Sequence, residues 1–267
     1  MKNKIIVITI ALIIGIGIFL NQQLKSEQKT ALLETNNASE NNSSTLDIEL
    51  TVSELTEKKT LATHTEAELP FGVIYKRNLL KKELHELLNC HKSNSCPIDN
   101  SDPRASDLLL GQQITAKLNE YKALALENDY YDDETAAIVK KFITNSNGYV
   151  QESAIDLMSA MPPNSDNAQT LIKTLETSYD AKIMNQSMKE LQRYPQLSSQ
   201  VDKLYQKSLQ TGSFYVAQEI AMNILPQLNT QNIEQYTEVA NNLPQNSKRA
   251  DALWSNINEF NLRQKGG

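Results

Sequence analysis

The sequence predicts an all-α chain: an α-α superhelix of about four helical hairpins, preceded by two helices, a flexible linker and an N-terminal transmembrane helix. Three observations carry this. Apolar residues recur at helical spacing from residue 70 onward. The 267 residues include only 8 Gly and 8 Pro, too few for a many-turned β domain. Residues 129–267 also resemble themselves at intervals of 31–33 residues.

The chain opens with Lys2 and Lys4, followed by an uncharged apolar run from Ile5 to Leu20. As a helix this run spans about 24 Å, and residues up to Leu24 extend it toward the ~30 Å hydrocarbon core. A cleaved signal peptide shares the basic start and the apolar centre. It needs small residues at its cleavage site, whereas Asn21, Gln22, Gln23 and Leu24 follow here. Residues 1–24 are therefore read as a membrane anchor. Lys2 and Lys4 place the N-terminus inside and the rest outside, as in a single-pass protein of a bacterial inner membrane with a periplasmic domain.

Residues 25–68 read as a linker, rich in Asn, Ser, Thr and Glu and poor in apolar residues. Within it, Leu46, Ile48, Leu50 and Val52 alternate with polar residues, which is strand spacing. An extended linker with chance alternation and a strand that pairs with a sheet edge both fit.

Residues 69–128 form the first predicted helical hairpin. Pro70 suits a first helical turn. Val73, Ile74, Leu79, Leu80, Leu84, Leu87 and Leu88 then follow at helical spacing. Asn89 to Asn100 reads as a polar loop, and Asp102-Pro103 as the start of a helix carrying Leu108, Leu109, Ile114, Leu118, Tyr121 and Leu124.

The repeat occupies 129–267. Met158, Leu191, Met222 and Trp254 are spaced by 33, 31 and 32 residues, and Met161, Tyr194, Leu225 and Ile257 share those intervals. Pro162, Pro195 and Pro226 follow the first three of that second set, and Asn258 stands in the fourth place. Ile138, Leu171, Leu204 and Tyr236 align in the preceding helices. Each copy reads as helix, turn, helix and a proline stop, since proline cannot extend a helix. One hairpin cannot bury its apolar face alone, so stacking is predicted. An ordinary helical bundle is the competing arrangement. The pattern of residues 135–260 resembles the HEAT and armadillo-like class of α-α superhelices, although the copies are shorter than typical HEAT units. That resemblance implies a surface for binding proteins or peptides and carries no catalytic residues.

Cys90 and Cys96 are the only cysteines. Outside the cytoplasm such a pair oxidises, and the short loop it closes gives a stabilisation of about 2 kcal/mol. With His85 and His91 these cysteines supply four metal-capable side chains, but the spacing departs from that of zinc sites. Asp129, Asp132, Asp133 and Glu134 lack the alternation and glycine of a calcium loop and suit a helix N-terminus instead.

No nucleophile elbow, zinc-protease motif, phosphate loop or dinucleotide fingerprint occurs. No cofactor and no catalytic residue is assigned. The net charge is -6 with no basic cluster, which argues against nucleic acid. Trp254 and Tyr194 fall in core columns, whereas Tyr215 falls outside them and is the candidate partner contact. The expected function is binding of a protein or peptide partner in the cell envelope, as adaptor, assembly factor or chaperone. An envelope enzyme using paired carboxylates and a structural subunit of a larger complex are the alternatives.

Overall fold

The computed structural model describes residues 69–102 and 105–266. Among the described residues there are ten α-helices and no strand: α1 (Phe71–Ser93), α2 (Ser106–Asn128), α3 (Asp133–Ile143), α4 (Gly148–Ala160), α5 (Ser165–Leu175), α6 (Ala181–Leu191), α7 (Ser198–Thr211), α8 (Phe214–Asn223), α9 (Ile233–Asn242) and α10 (Lys248–Gly266). The anchor segment Ile5–Leu20 and the strand-like 46–52 lie outside the described residues. No helix among the described residues is long and apolar enough to cross a membrane.

Consecutive helices pair, and the pairs stack in two layers. One layer runs α3, α5, α7, α9; the other runs α2, α4, α6, α8, α10. Helix α1 packs on α2, and α2 packs on α4, so the first hairpin continues the stack that the repeats form. This all-α arrangement is compatible with a helical-repeat fold.

The turns explain why each helix starts where it does. Asn147, Asp180 and Ser213 stand 33 residues apart and cap α4, α6 and α8, each accepting a backbone N–H of the first turn. Asp132 and Asn164 do the same for α3 and α5. Such caps satisfy donors that have no partner within the helix, at about 1 kcal/mol each.

Between the layers lies one continuous core. Met158, Leu191, Ile224 and Ile257, spaced by 33 residues each time, are all essentially buried. This corrects the column read from the sequence. Met222 is 55% exposed, and Trp254 is half-buried against the edge of the core rather than within it. The proline register misleads here. Helix α6 ends four residues before the 3-10 turn Pro195–Leu197, whereas α8 ends two residues before Leu225–Gln227. Pro226 thus slips by two residues against the core. In the first-layer column, Leu171, Leu204 and Tyr236 are buried and Ile138 is half-buried. Tyr194 is buried as expected. Where Asn258 replaces proline, α10 runs on to Gly266.

The predicted loop from Asn89 begins too early. Helix α1 continues to Ser93 and carries Cys90 in its last turn, ended by Asn94 in the left-handed region with its N–H on the Cys90 carbonyl. Polar residues there satisfy the helix rather than break it: the Asn89 amide donates to the His85 carbonyl. Helix α2 begins at Ser106, three residues after Pro103, with no side-chain cap; the Asp102 backbone carbonyl accepts the Ala105 N–H, so Asp102 does not cap α2 as the sequence suggested.

Gly111 in α2 lies against the Asn147 side chain, and a Cβ there would collide with that amide. Glycine inside a helix ordinarily costs about 1 kcal/mol relative to alanine. Gly111→Ala is nevertheless expected to destabilise, by about 1–3 kcal/mol through overpacking and a displaced cap. Thermal unfolding followed by circular dichroism checks this, and a rise in Tm would contradict the close approach.

Candidate interaction groove

Helices α2, α4, α6 and α8 border an open groove of ≈ 960 Å³. Its lining comes from equivalent faces of the second-layer helices, so the stacking that buries one side of each helix presents the other side to the groove. Helix α4 contributes Tyr149, Glu152 and Asp156; α6 contributes Lys182, Asn185 and Lys189; α8 contributes Glu219. Tyr149 is 62% exposed.

Side chains within the groove are tied between neighbouring helices. Lys182 pairs with Glu152, and Lys122 with Asp156 at 3.4 Å. The Gln186 amide donates to the Glu152 carbonyl at 3.0 Å and to the Asp156 carboxylate at 2.6 Å. The Asn185 amide donates to Glu219, which also accepts from Asn223 at 2.8 Å. Each acid of α4 is thus held by a lysine, and Asp156 by an amide as well, an arrangement suited to fixing a surface. Lys189 is exposed and forms no ion pair among the described residues. Tyr215, the contact suggested by the sequence, is 71% exposed at the start of α8, its ring edge-on to Phe214 with centroids 5.4 Å apart.

Behind the groove, each second-layer helix from α4 to α8 has carbonyls of its C-terminal end held by the following copy. Arg193 donates to the Ser159 carbonyl at 3.0 Å and the Met161 carbonyl at 2.6 Å. Gln227 donates to the Met188 carbonyl at 3.2 Å, and Asn256 to the Ala221 carbonyl at 2.7 Å. These bonds satisfy acceptors that the helix itself leaves open. Arg193 is held in turn by the buried carboxylate of Glu190 at 3.0 Å. Glu190 also accepts from the Tyr194 hydroxyl at 3.0 Å. Burial and the neighbouring Glu190 push that phenol up to about 12. This clamp is not legible in the sequence, because its donors are Arg, Gln and Asn at unequal intervals.

Of the acidic cluster, Asp132, Asp133 and Glu134 sit at the N-terminus of α3, as read from the sequence, whereas Asp129 ends α2 in the left-handed region. Asp132 accepts the Thr135 N–H at 2.7 Å and the Lys81 ammonium at 2.7 Å. Lys81 is almost fully buried and also donates to Glu134 at 2.7 Å. Arg77 stacks over the Tyr130 ring, its guanidinium carbon 4.8 Å from the centroid. Burial opposes the charge of Asp132, but the bonds from Lys81 and Thr135 outweigh it and hold the carboxyl below its ordinary range. Burial likewise opposes the charge of Lys81, and its bonds to Asp132 and Glu134 raise it overall.

Cys90 and Cys96 form a disulfide with Cα atoms 4.6 Å apart. The ring of His91 has a nitrogen within 4.8 Å of both sulfurs, while His85 stands apart, its ring beside the Asn89 amide. With the sulfurs bonded to each other, His91 is the remaining metal-capable group of the three. No family model, curated protein or solved structure matches the chain.

The Asp132–Lys81 pair makes a pH prediction. The depressed Asp132 contributes stability above the unfolded carboxyl value of about 3.9, lost as pH falls through its folded pKa. The raised Lys81 contributes below about 10.4, lost as pH rises through its own folded pKa. Wild-type stability should therefore fall below about pH 4, and Asp132→Asn, which keeps a capping oxygen but not the charge, should flatten that acid limb. Urea unfolding from pH 2 to 7 measures it; an acid limb identical in the variant would show that Asp132 is not responsible.

Proposed function

We propose that this chain is a membrane-anchored, periplasm-facing helical-repeat protein of the α-α superhelix type that binds a protein or peptide partner of the cell envelope. The observation that carries the reading is the open groove across α2, α4, α6 and α8. It is long enough to cross several copies, and its charged and amide groups are fixed by ties between neighbouring helices. A surface fixed before binding loses less entropy when a partner docks. Tyr149 and Lys189 reach out of it with little holding them, as contact side chains do. HEAT and armadillo-like repeats, which the pattern resembles, suit the same role. The buried ties between copies favour a stiff platform, whether for an adaptor, an assembly factor or a chaperone.

The anchor reading rests on the uncharged run Ile5–Leu20 behind Lys2 and Lys4. A 25–68 linker would have an r.m.s. reach of about 35–40 Å if flexible, setting the groove away from the bilayer. The Cys90–Cys96 disulfide fits an oxidising compartment.

Two measurements test these parts separately. A photo-crosslinking residue at Lys189 or Tyr149 of the full chain, expressed in cells, should give a discrete adduct with one envelope protein, and the same residue at Lys203 on α7 should not. Adducts from Lys203 alone would place the contact elsewhere. For the anchor, the intact protein should stay in the membrane pellet through alkaline carbonate and be digested by protease added to spheroplasts. Release by carbonate, or protection from the protease, would overturn the anchored, outward orientation.

A further inference from the structure

The disulfide at the end of α1 has surroundings that a covalent clip alone does not require. Cys90, His91 and Cys96 are the one group of three metal-capable side chains that folding gathers among the described residues. Both sulfurs and a ring nitrogen of His91 lie within 4.8 Å of one another. Their spacing in the sequence departs from that of zinc sites, but the turn that follows α1 brings them together. Asn94 takes the left-handed conformation with its N–H on the Cys90 carbonyl. The Ser95 N–H bonds the same carbonyl at 2.9 Å, and the Ser93 and Ser95 hydroxyls are 2.7 Å apart. Backbone bonds of this kind close a helix end and reverse the chain, which returns Cys96 to the side of Cys90 and His91. None of them passes through the S–S bond, so reduction leaves the turn its own support.

The ligand atoms suit one class of ion. A tetrahedral zinc-type ion stands about 2.3 Å from sulfur and about 2.0 Å from nitrogen, so its ligand atoms are about 3.5–4 Å apart. Three atoms gathered within 4.8 Å fall close to that span. Two thiolates and an imidazole select thiophilic ions over calcium or magnesium. His91 also lines a cavity of ≈ 430 Å³ with Asp107 and Asn145, which has room for a water as fourth ligand. His85 is left out, its ring lying beside the Asn89 amide.

We propose that Cys90, His91 and Cys96 form a redox-gated site for a thiophilic divalent ion of the zinc class, closed as the disulfide and opened by a dithiol. Cys90 is 2% exposed and Cys96 half-buried, so an incoming thiolate reaches the Cys96 sulfur. A bond forms between the reductant and Cys96, the S–S bond breaks, and its electron pair leaves with Cys90 as a thiolate. The second thiolate of the reductant then displaces Cys96, and the reductant departs as a disulfide, two electrons poorer. Its two protons pass to solvent when the two cysteine thiolates and the His91 nitrogen take the ion. The site shares no residue with the groove and stands apart from that reading.

The test uses the full chain in detergent micelles, with cobalt(II) and zinc(II) as probes. Protein reduced with dithiothreitol and desalted without oxygen should bind a single cobalt(II) ion and show thiolate-to-cobalt charge-transfer absorption. Zinc(II) should displace the cobalt, and the oxidised protein should bind neither ion at the same concentrations. His91 is exposed and Cys96 half-buried, so His91→Ala and Cys96→Ser leave the core intact. Each should bind cobalt(II) at least about 10-fold more weakly, whereas His85→Ala should bind as wild type. Circular dichroism reports whether each reduced chain keeps its helices. Cobalt(II) binding without the thiolate band, equal binding by the oxidised chain, or wild-type affinity in His91→Ala overturns the proposal. So does a reduced chain that keeps its helices and binds no ion. A reduced chain that loses its helices and binds no ion overturns it too, since the turn would then depend on the S–S bond.

Discussion

Each hairpin in this chain has an apolar face that it cannot bury by itself. Met158, Leu191, Ile224 and Ile257 are buried in the one core that the stacked helices share. Removing water from a side chain of that size contributes about 1.5–3 kcal/mol, so every copy depends on its neighbour and none is a stable unit alone. The rest follows from that dependence. The caps must recur because each helix must start in step with the one before. The groove exists because the helices that share a core also line up their opposite faces.

Apolar packing by itself does not fix the step between copies. Successive turns of α6 and α8 offer similar apolar surfaces, and a slip of one turn would still bury much of the same area. Polar groups forbid the slip. Arg193 reaches carbonyls of the preceding copy only in one register, and a slip would strand Glu190, which is buried. A buried charge that loses its partner costs about 3–5 kcal/mol. At the next joint, Asp202 of α7 accepts from the Tyr236 hydroxyl at 2.9 Å and the Asn232 amide at 3.1 Å, both contributed by the following copy. Lys81 between Asp132 and Glu134 plays the same part where α1 meets α3. Each of these joints therefore combines a non-directional apolar contact with one directional polar lock.

Helical patterning, hairpin order and the period were legible in the sequence because the core column is strict. What misled was proline. Its role is to stop a helix, which allows a tolerance of a residue or two, whereas a core position allows none. Aligning on Pro162, Pro195 and Pro226 transferred the slack of the stops onto the core and nominated Met222 in place of Ile224. The end of α1 was hidden for a related reason. Asn89 and Ser93 are poor helix formers by composition, yet each bonds to a carbonyl of its own helix, and the chain turns only at Asn94. The disulfide was readable from the cysteine count. The lock at Lys81 was not, because its members lie about fifty residues apart in the chain and only folding brings them together.

A strict period in a repeat chain has more than one origin, and burial separates them. Where the repeating residue is buried, as at Met158, Leu191, Ile224 and Ile257, the core accounts for it. Where it caps a helix, as at Asn147, Asp180 and Ser213, backbone donors account for it. The positions two residues after those caps belong to neither class: they are exposed, and their side chains supply neither core contact nor cap. Packing holds their backbone at equal intervals but leaves the choice of side chain free. Neither core nor caps demand their alternation between tyrosine and lysine, although Lys182 ties α6 to Glu152 of α4.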